Sequence, residues 1–139
     1  MTTRLHRALA LAGALALTAC ATSSDDDFDL FGSALKGTEL ESAIAAAAVH
    51  PLGSEKNPVR ANMPAGERAY LERLRCSDGN APAFERGGSV GTGPHGTIMD
   101  IYELRCLSGQ PATSSVYMDM YHADYVENRT VSGFSIKSN

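Results

Sequence analysis

The chain has no basic patch. Its 12 Lys and Arg stand against 16 Asp and Glu, a formal net charge of −4. Nucleic-acid binding rests on clustered cations that neutralise phosphates, so that class of partner is excluded. Cysteine is scarce: Cys20, Cys76 and Cys106 are the only three. None sits in a CxxC, and neither Cys76 nor Cys106 has a histidine at ligand spacing, which argues against a cysteine-based metal pair. There is no GxSxG, and Ser89 and Ser132, each beside a glycine, read as turn serines rather than nucleophiles. No internal repeat occurs. The apolar run from Ala8 to Leu17 falls well short of the roughly 20 residues that a bilayer-spanning helix needs.

What that run does have is context. Arg4 and Arg7 precede it, and small residues, Thr18 and Ala19, close it before Cys20. A positive start, a short apolar stretch and small residues at a cut site form the layout of an export signal rather than of a core helix. The stretch Leu17-Thr18-Ala19-Cys20 resembles the lipobox of bacterial lipoproteins. That resemblance implies cleavage before Cys20, acylation of its thiol and new N-terminus, and a membrane partner reached through the acyl chains. Two or more chains anchor a protein stably where one binds only marginally. Ordinary cleavage with Cys20 as a passenger is the alternative. Ala21, rather than Asp, follows the cysteine, which by the same resemblance places the protein at the outer membrane. With Cys20 lipidated, Cys76 and Cys106 remain as an even pair in an oxidising compartment and are expected to form a disulfide; two buried thiols are the alternative.

Charge and composition then divide the chain. Residues 21–49 carry a net charge of −5, while residues 50–139 carry −1. The acidic, Ser-rich opening cannot bury enough apolar surface to offset its conformational entropy. The expected organisation is a signal at 1–19, a lipidated N-terminus and acidic tether at 20–37, a short helix at 38–50, and one domain at 52–139. Thr38 and Glu41 have capping-box spacing, Leu40, Ile44 and Ala47 share a stripe, and Pro51 stops the helix. Downstream, Val59 to Met63 suits a short strand, and "GERAYLERLRC" puts Tyr70, Leu71 and Leu74 on a helix face, with a strand alternating through Tyr70, Glu72, Leu74 and Cys76 as the alternative that Glu72 disfavours. "PAFERGGSVG", "TIMDIYELRC", "SSVYMDMYH" and "VSGFSIK" read as strands. In the third, Val116, Met118 and Met120 alternate with Tyr117, Asp119 and Tyr121. The predicted fold is α+β: a small antiparallel sheet of three to five strands with one or two helices, stapled by one disulfide.

Several motifs invite chemistry and most decline it. Gly91, Gly93 and Gly96 match GxGxxG, but a strand rather than a helix follows, so nucleotide binding and a dinucleotide cofactor are not expected. The reading is a Gly-rich turn between strands. His95, Asp119, His122 and Asp124 are the metal candidates, with Glu127 as a further donor, although their spacing matches no ligand motif. Glu67, Glu72, Asp100 and Asp119 are carboxylates that only a fold can pair. Met118 and Met120 read as core rather than copper ligands. "NRT" at Asn128 has the glycosylation pattern without the cellular context for it. The segments "GSEKNPVR", "PAGERAYLERLRC", "GSVGTGPHG", "IMDIYELRC" and "VYMDMYH" together resemble a family of small uncharacterised bacterial proteins, a resemblance that implies one coherent domain and transfers no functional residue. The expected function is that of a membrane-anchored envelope lipoprotein serving as a non-catalytic binding or structural module, without cofactor. An envelope protein is its expected partner, met on the Tyr117/Tyr121 face with Arg105 or Arg129. The alternative is a small periplasmic metal-binding protein or hydrolase using His95, Asp119 and His122.

Overall fold

The computed structural model describes residues 34–138. The signal, Cys20 and the acidic part of the tether lie outside the described residues. The Ala-rich stretch forms α1, Gly37–Ala47. Leu40, Ala43 and Ile44 are half-buried and Ala47 is buried, a stripe at i, i+3, i+4 and i+7. The expected capping box does not form. Lys36 stands at the N-cap with no side-chain cap bond, because the helix starts one residue before Thr38.

After a turn through residues 48–58 come β1 (Val59–Asn62), α2 (Met63–Arg73) and the two-residue β2 (Leu74–Arg75). Glu67, Tyr70 and Leu71 form the buried face of α2. Leu74, expected to extend that face, is instead the first residue of β2, where the backbone turns extended. Then follow β3 (Ala83–Thr92), β4 (Ile98–Arg105), β5 (Thr113–Asp119), β6 (Tyr121–Val126) and β7 (Ser135–Ile136). The main sheet has five strands in the order β3-β4-β5-β1-β6, and β2 pairs with β7 in a separate ribbon.

The fold is thus α+β, with a five-stranded sheet and one disulfide, as the strand pattern indicates. The sheet is mixed rather than wholly antiparallel, because β1 lies parallel to β5, with Val59 opposite Met118 and Arg60 opposite Asp119. A long return path separates these strands in sequence, which is what a parallel pairing requires. The "VSGFSIK" segment does form an edge strand, β7, but on β2 rather than on the main sheet. The strand β6 was not anticipated from sequence. After Asp119 the chain passes Met120, whose carbonyl accepts the Met63 N–H at 2.8 Å, and pairs on the far side of β1.

Period-2 alternation sorts the two faces of the sheet. Val59, Ala61, Tyr102, Leu104, Val116 and Met118 turn toward α2 and make the core with Tyr70 and Leu71. Met99 turns the other way and lines a cleft against α1 with Ala43 and Ala47. A Cβ at Gly93 would collide with the Met99 side chain, so a larger residue there requires Met99 to shift.

Cys76, just after β2, is bonded to Cys106, just after β4, with their Cα atoms 5.9 Å apart. Closing a loop of this length removes roughly 3–4 kcal/mol of unfolded-chain entropy in the simplest treatment. The double variant Cys76→Ser/Cys106→Ser is expected to lose about 2–4 kcal/mol of stability. Urea unfolding of both proteins, and of the parent after reduction, checks this; equal midpoints would show that the bond is thermodynamically silent.

Candidate metal centre

Three of the four metal candidates meet. His95 is carried by the Gly-rich turn between β3 and β4, which Gly93 N–H closes onto the Thr97 carbonyl at 2.8 Å. Gly96, at φ +80°, sets the turn's exit, a conformation that favours glycine. Asp119 ends β5 and His122 is the second residue of β6. His95, Asp119 and His122 each present a donor atom within 4.8 Å of the others. The side chains of His95, Asp119 and His122 are 2%, 0% and 8% exposed.

The Asp119 carboxylate is the hub. Its Oδ2 lies 3.1 Å from His95 Nδ1 and accepts the Thr97 hydroxyl at 2.7 Å. Its Oδ1 accepts the Tyr121 backbone N–H at 3.1 Å. His122 Nε2 also lies 3.1 Å from Oδ2, yet it makes no hydrogen bond there: the approach is close but badly directed. His95 Nε2 likewise lacks a hydrogen-bond partner. The two imidazoles meet edge to face, with ring centroids 5.1 Å apart. Burial alone would raise the Asp119 carboxyl, but the His122 and His95 rings and the Thr97 hydroxyl outweigh it and hold the group well below the usual carboxylate range. Asp119 is therefore an anion over the whole neutral range, a donor set of one carboxylate and two imidazoles.

Donors bound to one zinc or copper ion at about 2.0–2.1 Å in a tetrahedral arrangement lie about 3.3 Å from each other. The two 3.1 Å separations about Asp119 Oδ2 are close to that edge. Two of the three donor separations are thus of the size that a divalent transition metal held by His95 Nδ1, Asp119 Oδ2 and His122 Nε2 would need, and the third is within 4.8 Å. Thr97 and the Tyr121 N–H would then orient the ligating carboxylate, as partners of metal-bound carboxylates do.

The fourth candidate stays away. Asp124 is exposed at a positive-φ position, φ 59°, and does not join the group. Glu127 is buried but already committed: it accepts Arg129 Nε at 3.0 Å, Arg129 N–H groups, the Asn128 N–H and the Tyr125 hydroxyl. Thr97 is the participant that the sequence reading missed. Its place two residues after His95 in a turn was the available signal.

A second polar group lies on the α2 face. Arg86 clasps Asp100 with both contacts at 2.6 Å, and Ser89 adds a third at 3.1 Å. Beside it Glu67, wholly buried, accepts the Tyr102 hydroxyl at 3.0 Å through one oxygen, while Oε1 has no partner. Burial pushes the Glu67 carboxyl up to about 7, against the lowering effect of the Tyr102 bond. Glu72, the other carboxylate considered, is exposed. Tyr117 and Tyr121 are half-buried, so neither stands out as an exposed ring.

Family models, curated proteins and solved structures were each compared with the chain, and none of them matches.

Glu67 makes stability pH-dependent. An unfolded glutamate ionises near its usual 4.5, whereas the folded protein keeps the proton up to about 7. Folded protein thus binds more protons between those values, and stability falls as pH rises through that window. We expect a loss of up to about 3 kcal/mol across it, and a flatter profile in Glu67→Gln. Urea midpoints at a series of pH values check this; parallel profiles for the two proteins would remove Glu67 as the cause.

Proposed function

We propose that this protein is a lipid-anchored component of the bacterial cell envelope whose domain holds a divalent transition metal at His95, Asp119 and His122. The observation that carries the metal reading is the convergence of two imidazoles and a carboxylate in a buried cluster where His122 Nε2 stands 3.1 Å from the carboxylate without a hydrogen bond. A plain hydrogen-bonded cluster leaves that buried nitrogen unsatisfied, at a cost of about 1–3 kcal/mol; a metal ion between the two groups satisfies both. Two imidazoles with one carboxylate suit Zn²⁺ or Cu²⁺ better than Mg²⁺ or Ca²⁺, which prefer all-oxygen sites.

The role is read as holding rather than turnover, because the side chains of His95, Asp119 and His122 are almost wholly buried. Closed sites are the structural kind, whereas catalytic ones keep a position open to substrate. The anchor reading is supported by the lipobox at Leu17–Cys20, and the Cys76–Cys106 disulfide agrees with export to an oxidising compartment. The acyl chains on Cys20 supply the membrane contact, with the outer membrane as the address and an envelope protein as partner.

Two measurements test the two halves separately. Elemental analysis and calorimetric titration of the full chain with Zn²⁺ and Cu²⁺ should give one ion per chain, and saturating metal should raise the melting temperature by about 5–10 °C. His122→Ala should abolish both effects while still folding, since its side chain lies at the edge of the cluster. A chelator-insensitive melting temperature with no bound metal ends the metal reading. For the anchor, the intact mass of protein taken from membranes should show an acylated N-terminus at Cys20; an unmodified N-terminus at Ala21 or beyond overturns it.

A further inference from the structure

A cleft of about 370 Å³ runs between α2 and β6, a volume at the small end of ligand-binding cavities. The helix side is Ala65, Gly66 and Ala69, whose small side chains leave the space open. Arg60 from β1 and Arg73 from the last turn of α2 supply its charge. The Arg60 guanidinium lies on the Tyr125 ring, 3.9 Å from the centroid. Among the described residues no carboxylate lies within ion-pair distance of it. Arg73 donates only to neutral oxygens, the Glu127 carbonyl and Asn128 Oδ1. Glu127 is the one acid in the lining, and its charge is already answered by Arg129 at 2.7 Å.

We propose that this cleft binds a small oxyanion, a carboxylate- or phosphate-bearing molecule, between Arg60 and Arg73. The chemistry follows from the guanidinium groups. A planar fork of N–H donors matches the oxygens of carboxylate and phosphate, and stacking on an aromatic face fixes the fork before the ligand arrives. Arg60 is held flat on Tyr125 in this way, and Arg73 is fixed by its two acceptors. Two positive charges face one cavity whose one acid, Glu127, is engaged by Arg129, so the partner that the lining calls for is an anion. The cleft also touches the other site: Tyr125 carries Arg60 and meets the His122 ring, with ring centroids 6.5 Å apart. The proposal does not depend on a metal being bound.

The test is titration of the full chain, at low ionic strength, with inorganic phosphate and separately with the dipeptide Ala-Ala, followed by NMR or calorimetry. Saturable binding of at least one probe is expected, and which probe saturates identifies the oxyanion. Arg60→Gln, and Ala69→Asp at an exposed position facing the cleft, should each weaken binding about tenfold or more. Arg68→Gln, an exposed arginine of α2 outside the cleft, should leave it unchanged. The proposal is overturned by either of two results: no saturable binding of either probe, or equal losses in Arg60→Gln and Arg68→Gln.

Discussion

A full negative charge sits at Asp119 with no exposed side-chain surface. Burying such a group costs several kcal/mol unless its oxygens are answered. Here the answers come from two places in the chain: His95 and Thr97 from the turn before β4, and the Tyr121 N–H from the start of β6, with the His122 ring 3.1 Å away. The carboxylate thereby fastens the Gly-rich turn and the β5–β6 junction to one point. Removing any partner leaves the charge less well compensated, so the geometry of this end of the sheet depends on it.

The sheet has a strong fastening at each end. Strand β4 begins one residue after Thr97 and ends one residue before Cys106. Over its length, about 25 Å, it runs from the Asp119 cluster to the disulfide. At one end the restraint is covalent and acts on the unfolded chain; at the other it is polar and acts on the folded one. A domain of this size buries a limited apolar core, and such fastenings supplement it. A metal at His95, Asp119 and His122 would make the polar end a second cross-link of comparable purpose.

The two faces of the sheet divide the chemistry. Toward α2 lie the apolar core and, at its margin, Glu67 with Tyr102 and the Arg86–Asp100 pair. Successive residues of β5 point oppositely, so Met118 joins the core while Asp119 turns to the imidazoles. The same alternation puts Arg60 on the side of Tyr125 while its neighbours Val59 and Ala61 enter the core. Two candidate sites on one small sheet therefore arise without disturbing the packing beneath them.

Local pattern alone determined much of this protein. The Ala-rich helix, the strand periodicity of "TIMDIYELRC" and "SSVYMDMYH", the Gly-rich turn and the helix in "GERAYLERLRC" are each written in neighbouring residues, because helix and strand preferences act over a few positions. The pairing of Cys76 with Cys106 followed from counting. What only the tertiary structure decided depends on partners distant in the chain. The capping spacing of Thr38 and Glu41 was present but unused, since the helix began earlier. The parallel pairing of β1 with β5 and the crossing to β6 were invisible, because register between remote strands is set by the shared core. The metal candidates made the same point most sharply. Asp124, two residues from His122, stands exposed at a positive φ outside the cluster, whereas His95 and Asp119, 24 residues apart, come within 3.1 Å. Chain proximity brought Asp119 and His122 together across the β5–β6 junction, and strand pairing added His95 by laying the end of β5 beside the start of β4.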